Sequence, residues 1–141
     1  MLTTERTTLL RVAGQSSYHE PNKKVFKRLA LKFLREIVKE LDFLPKSVTV
    51  HFNPGGIACS GDAILHHDDV YLYINGDSCI GGQLRILGRT CKGQKDYTGG
   101  RNQWFVLKNA GDPETARLMF WVAEIRTESQ KLKEIANAEA A

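Results

Sequence analysis

Five cations and four flat rings, placed close together in one part of the chain, are the residues best suited to chemistry. The cations are Arg85, Arg89, Lys92, Lys95 and Arg101, and the rings are Tyr71, Tyr73, Tyr97 and Trp104. A guanidinium is a planar fork that makes two charge-assisted hydrogen bonds to a phosphate or carboxylate, and an aromatic ring offers a face on which a base stacks. Asn102 and Gln103 add amides that read edges by hydrogen bonding, while Asp96 and His51 complete the polar set. Between Arg85 and Lys108 there are six basic residues and one acid, Asp96. The segment 90–101 carries Gly93, Gly99 and Gly100, which let backbone N–H groups come close to an anion. It is not a P-loop, since it lacks G-x-x-x-x-G-K-[ST]. The expected ligand bears phosphate: a nucleotide or a short oligonucleotide, held by sequestration or sensing rather than turned over, with no cofactor called for.

A second chemistry is also encoded. His66 and Asp69, with His51 on a nearby strand, are candidate metal ligands, and with the same arginines as clamps they would make a small metal-dependent phosphoesterase or nuclease. Against that, neighbouring residues at a strand end point opposite ways, and Asp serves turns without any metal. No G-x-S-x-G or H-E-x-x-H is present, and Cys59 and Cys79 have no nucleophile setting around them.

These residues need a scaffold, and the periodicity supplies one of α+β class. Val25, Leu29, Phe33, Ile37 and Leu41 recur every four residues, which predicts an amphipathic helix over 22–43 that Pro45 follows. Its other face is basic, with Lys23, Lys24, Lys27, Arg28, Lys32, Arg35 and Lys39 before any acid except Glu36. That stripe, or the mixed sheet face, is the surface for a third use: docking a partner or pairing two copies into a homo-oligomer. Period-two runs predict five antiparallel strands at 47–53, 57–65, 70–75, 83–89 and 102–108, with His66–Asp69 as a hairpin connection. Asp112 and Pro113 mark the start of a second helix, 113–135, whose Ala-rich end is expected to fray. Residues 1–20 stay open between strand and a short helix capped by Thr3 or Thr4.

Alternation then sorts the strand residues into two sets. Val48, Val50, Phe52, Val70, Leu72, Ile74, Leu84, Ile86, Trp104 and Val106 are expected to face the helices. Thr49, His51, Asn53, Tyr71, Tyr73, Arg85, Leu87, Arg89, Gln103, Phe105 and Leu107 form the other, chemically mixed face.

The chain of 141 residues is of one-domain size, with a formal net charge of +4. Cys59, Cys79 and Cys91 are odd in number and unpaired by spacing, as in a reducing compartment, and no signal-peptide pattern opens the sequence. No apolar stretch approaches the ~20 residues of a membrane span. A cytoplasmic protein is expected.

Overall fold

The computed structural model describes residues 1–80, 83–97, 99–108 and 114–140. It is an α+β fold with three helices on one face of a five-stranded antiparallel sheet. In chain order the elements are α1 (Thr3–Ala13), α2 (Glu20–Glu40), a short 3₁₀ turn (Pro45–Ser47), β1 (Val48–Asn53), β2 (Asp62–His67), β3 (Val70–Ile80), β4 (Gln83–Thr90), β5 (Gln103–Leu107) and α3 (Glu114–Ala140). The strands lie side by side in sequence order, β1 to β5.

The open N-terminal segment is a helix. Its N-cap is Leu2 rather than a threonine, and the Glu5 carboxylate reaches back to accept from the Leu2 amide at 3.2 Å. Leu9, Leu10, Val12 and Ala13 then face the core. Helix α2 begins two residues before the expected start. The His19 ring accepts from the Asn22 amide, and Pro21 sits in the first turn, where its missing N–H costs nothing.

Strand β2 departs from its expected limits in both directions. Residues 57–61 lie outside the sheet, and their start is held to the α1–α2 connection and α2: the Tyr18 amide donates to the Ile57 carbonyl, and Lys23 Nζ donates to the preceding Gly56 carbonyl at 2.9 Å. Gly61 turns the chain back at φ +96°, with the Phe52 ring against it. At the other end His66 and His67 belong to the strand, and only Asp68 and Asp69 make the hairpin turn. Strand β3 runs on to Ile80, past an irregularity between Ile74 and Cys79 that lets it stay paired with β4.

The core face carries Ala63, Leu65, Leu72, Ile74, Leu84, Ile86, Phe105 and Leu107, all but sealed from solvent. Leu9, Phe26, Leu29, Leu34, Leu118 and Val122 press on it from the helices. The fifth strand is therefore the reverse of the expectation. Phe105 and Leu107 point inward, opposite Ile86 and Leu84, while Trp104 and Val106 point to the outer face opposite Leu87 and Arg85. Alternation alone names two faces in the all-apolar run 104–107 and does not say which of them is wet. The rest of the molecule explains the choice, because Gly88 beside β5 leaves room for Trp121 of α3, which packs on Phe105 at 5.4 Å between ring centroids.

The first turn of α3 also closes the β5 edge. Glu114 accepts from the Val106 amide at 3.2 Å, and Arg117 donates to the Trp104 carbonyl at 2.8 Å, so outward backbone groups of an edge strand are satisfied within the chain. The predicted helix start at Asp112 and Pro113 lies outside the described residues. Downstream the helix continues to Ala140, and its last ten residues are exposed on every side.

The reversed facing of β5 is directly testable. Phe105→Ala should cost about 3–5 kcal/mol, as for a large buried ring. Trp104→Ala, losing a half-exposed ring and its cation partner, should cost about 1 kcal/mol. Chemical denaturation of both variants checks it, and equal losses would contradict the assignment.

Candidate nucleic-acid interface

No helix lies on the outer face among the described elements, and the polar residues singled out by sequence fall there in two groups. The first is at β4 and β5. The Arg85 guanidinium sits 4.1 Å from the centroid of the Trp104 ring, and both side chains are exposed, the ring at 42%. An indole on a wet surface beneath a guanidinium presents a flat face and a positive charge together.

The second group lies about 13 Å further along β4, four residues at the usual strand rise. Arg89 is 5.0 Å from the centroid of the Tyr71 ring, to which it is also register-paired. Tyr71 is buried, stacked at 6.4 Å on Tyr73 and met edge-on by Tyr97. Tyr97 reaches this place because the segment after β4 folds back over the sheet. The Cys91 amide donates to the Asp69 carbonyl, Asp96 accepts from the Lys92 amide at 3.0 Å, and Gln94 reaches the Lys46 carbonyl and the Asp68 carboxylate. Gly99 and Gly100 are tucked against Thr90, where a side chain would collide with backbone. This return leaves Lys92, Lys95, Arg101 and Asn102 exposed, with Tyr97 itself 54% exposed.

Beneath the folded loop lies His66. The ring is completely buried, with Tyr71 at 5.1 Å and Tyr97 at 5.0 Å, both edge-on. Its nitrogens make no hydrogen bond of ordinary geometry, although the backbone of Gly93 and Asp96 comes close enough to favour the protonated ring. Desolvation outweighs that help and holds the His66 pKa below its usual value. Burial acts the same way on His67, on the core side of the sheet, against the opposing charge of Asp69.

The remaining sequence candidates divide. Tyr73 is committed locally: its hydroxyl donates to Asp62 at 2.8 Å and accepts from Asn75, and burial with that carboxylate pushes its pKa up to about 12. His51 is exposed on β1, two strands away from Tyr73. Gln103 faces the helix side, opposite Gly88, for the same reason that reverses Phe105. Asp96 acts within the loop. The proposed metal set does not converge, because His66 is on the outer face while Asp69 accepts from Ser129 of α3 on the helix side. Among the described residues no three His, Cys, Asp or Glu side chains gather as a metal site.

One cavity was not legible in the sequence. About 530 Å³ open where the end of α2, the β2–β3 turn and α3 meet, lined by Glu40, Asp42, Asp68 and Asp69 against Arg126 and Lys133. Its carboxylates outnumber its cations, and Arg126 is already spent on the Leu41 carbonyl and the Phe43 ring. A phosphate would meet repulsion there. No sequence signal could have marked it, because it depends on how α3 crosses the end of the sheet.

Comparison with protein families, characterised proteins and solved structures returns no match for this chain.

The buried His66 predicts a pH dependence of stability. The folded state resists protonation that the unfolded chain accepts below about pH 6.5, so the unfolded state binds more protons in that window. Stability is full above pH 6.5 and falls as pH drops toward the lowered folded value. His66→Gln should flatten part of this slope, His67 supplying the rest. Urea midpoints at pH 7.5 and pH 5.5 measure it, and an unchanged slope in the variant would exclude His66 as a source.

Proposed function

We propose that the outer sheet face binds a short single-stranded nucleic acid and acts by sequestration or sensing rather than turnover. The observation that carries this reading is the exposed Trp104 ring lying under Arg85. A base stacking on the free part of that ring would gain a π-face, and the adjoining phosphate would gain a guanidinium fork. Tyr97 is a second exposed ring, and Arg89, Lys92, Lys95 and Arg101 continue the positive charge beside it.

Shape favours an extended ligand over a free mononucleotide. The exposed groups form a strip rather than a cup, with the Arg85–Trp104 pair and the Arg89–Tyr97 group about 13 Å apart along β4. Single strands are bound by such platforms of stacking rings and cations, with affinity that tolerates sequence and falls with salt. The 530 Å³ cavity is a poorer place for a phosphate-bearing ligand, because its lining is acidic.

Fluorescence anisotropy with labelled ten-nucleotide single strands tests this. Trp104→Ala should weaken binding by about 1–3 kcal/mol, the value of one stacked base. Arg85→Gln should lower the steepness of log K against log salt by about 0.7, one phosphate contact on a single strand. Wild-type protein that binds no oligonucleotide at 50 mM salt, or a Trp104→Ala variant that binds as well as wild type, would remove the proposal.

A further inference from the structure

Helix α2 carries a second charged surface, separated from Trp104 by the whole thickness of the sheet. Lys24, Lys27, Arg28, Arg35 and Lys39 are exposed along it. Among the described residues none of the five has a carboxylate within ion-pair distance. Lys32, which lies within the row, is tied to Glu5 at 2.6 Å. From residue 24 to residue 39 the row runs about 22 Å on a rigid rod, with a cation at nearly every turn.

Two features separate this row from an ordinary solvated face. Lys24–Arg28 and Arg35–Lys39 are like-charged pairs one turn apart, an arrangement that costs helix stability. Helix α3 of the same molecule does the opposite, mixing Glu124, Arg126, Glu128, Lys131 and Glu134 along its length. The second feature is what the row lacks. The apolar stripe of α2, Phe26, Leu29, Phe33, Leu34 and Ile37, is fully spent on the core. Within α2 itself no large apolar side chain is exposed to insert into a bilayer or to build the dry centre of a protein interface. At its N-terminal end the row borders a groove of about 310 Å³ between α2 and residues 54–57, where Lys24 and Lys27 stand beside Glu20 and the apolar Phe52, Pro54 and Ile57.

We propose that this face of α2 docks along the phosphate backbone of a nucleic-acid duplex, without reading bases. The duplex presents a line of dense, regularly spaced negative charge, which a straight cation row matches and a discrete acidic patch on a protein does not. The proposal rests on α2 alone and stands or falls independently of single-strand binding on the sheet.

The probe is a labelled 20-base-pair DNA duplex, titrated at 50 to 200 mM salt. Wild-type protein should bind at 50 mM and weaken steeply with salt. Replacing two of the cations, Arg28→Gln with Arg35→Gln, should reduce the slope of log K against log salt by about 1.8, two duplex phosphate contacts. A second pair, Lys24→Gln with Lys39→Gln, should do the same, and both pairs alter only exposed side chains, so unchanged circular dichroism is expected. Trp104→Ala should leave duplex binding unchanged while weakening single-strand binding. No duplex binding at 50 mM salt, a slope untouched by both pairs, or duplex binding that fails with Trp104→Ala would each overturn the proposal. So would binding to vesicles of anionic lipid with none to the duplex.

Discussion

The row Ala63, Leu65, Leu72, Ile74, Ile86 and Phe105 can be buried on only one side of the sheet, and the helices α1, α2 and α3 are all drawn to that side. Every other placement is a consequence. Because strand side chains alternate, sending this row inward sends Arg85, Arg89, Tyr71, Tyr73 and Trp104 outward together. A slip of one residue in β4 would turn Arg85 and Arg89 toward the core, where no partner could satisfy a guanidinium. The constraint that folds the sheet is thus the one that collects its charged and aromatic residues on the far side.

That logic also shows which parts of the structure the sequence could disclose. The α+β class, the amphipathic α2 and the inward rows of β1, β3 and β4 follow from period alone, since each strand repeats its own pattern over several residues. Strand β5 does not. With five residues of which Trp104, Phe105, Val106 and Leu107 are all apolar, alternation names two faces and does not say which is wet. The answer lies in Trp121 and Gly88, far away in sequence, whose contact selects Phe105 for the interior. The limits of β2 were hidden for a similar reason. Residues 57–61 look extended, while the bonds that hold their start, from Tyr18 to Ile57 and from Lys23 to the preceding Gly56, come from elements distant in sequence. Of the candidate site, Arg85, Arg89, Tyr97 and the loop cations were readable as a group, whereas the burial of His66 needed the fold-back of the loop to appear.

The charge is unevenly divided. Carboxylates gather at the α2–α3 end of the molecule around Asp68 and Asp69, while the outer sheet face and the solvent side of α2 are each predominantly positive. Two cationic surfaces back to back, with a neutral core between them, leave little electrostatic interaction between a ligand on one and a ligand on the other at ordinary ionic strength, where screening acts over about 8–10 Å. The two proposed binding faces would therefore act separately rather than as one continuous belt.

The sequential order of the strands bears on how the chain acquires this shape. Each strand pairs with the one made just before it, so the sheet grows by short-range closures of the kind that form quickly. What such growth cannot supply is a lid for the last-made strand. Until α3 emerges, the inner side of Phe105 lacks Leu118 and Trp121, and the β5 backbone lacks Glu114 and Arg117. A chain lacking α3 would carry a bare apolar rim and an unpaired strand edge, the kind of surface that promotes association between incompletely folded chains.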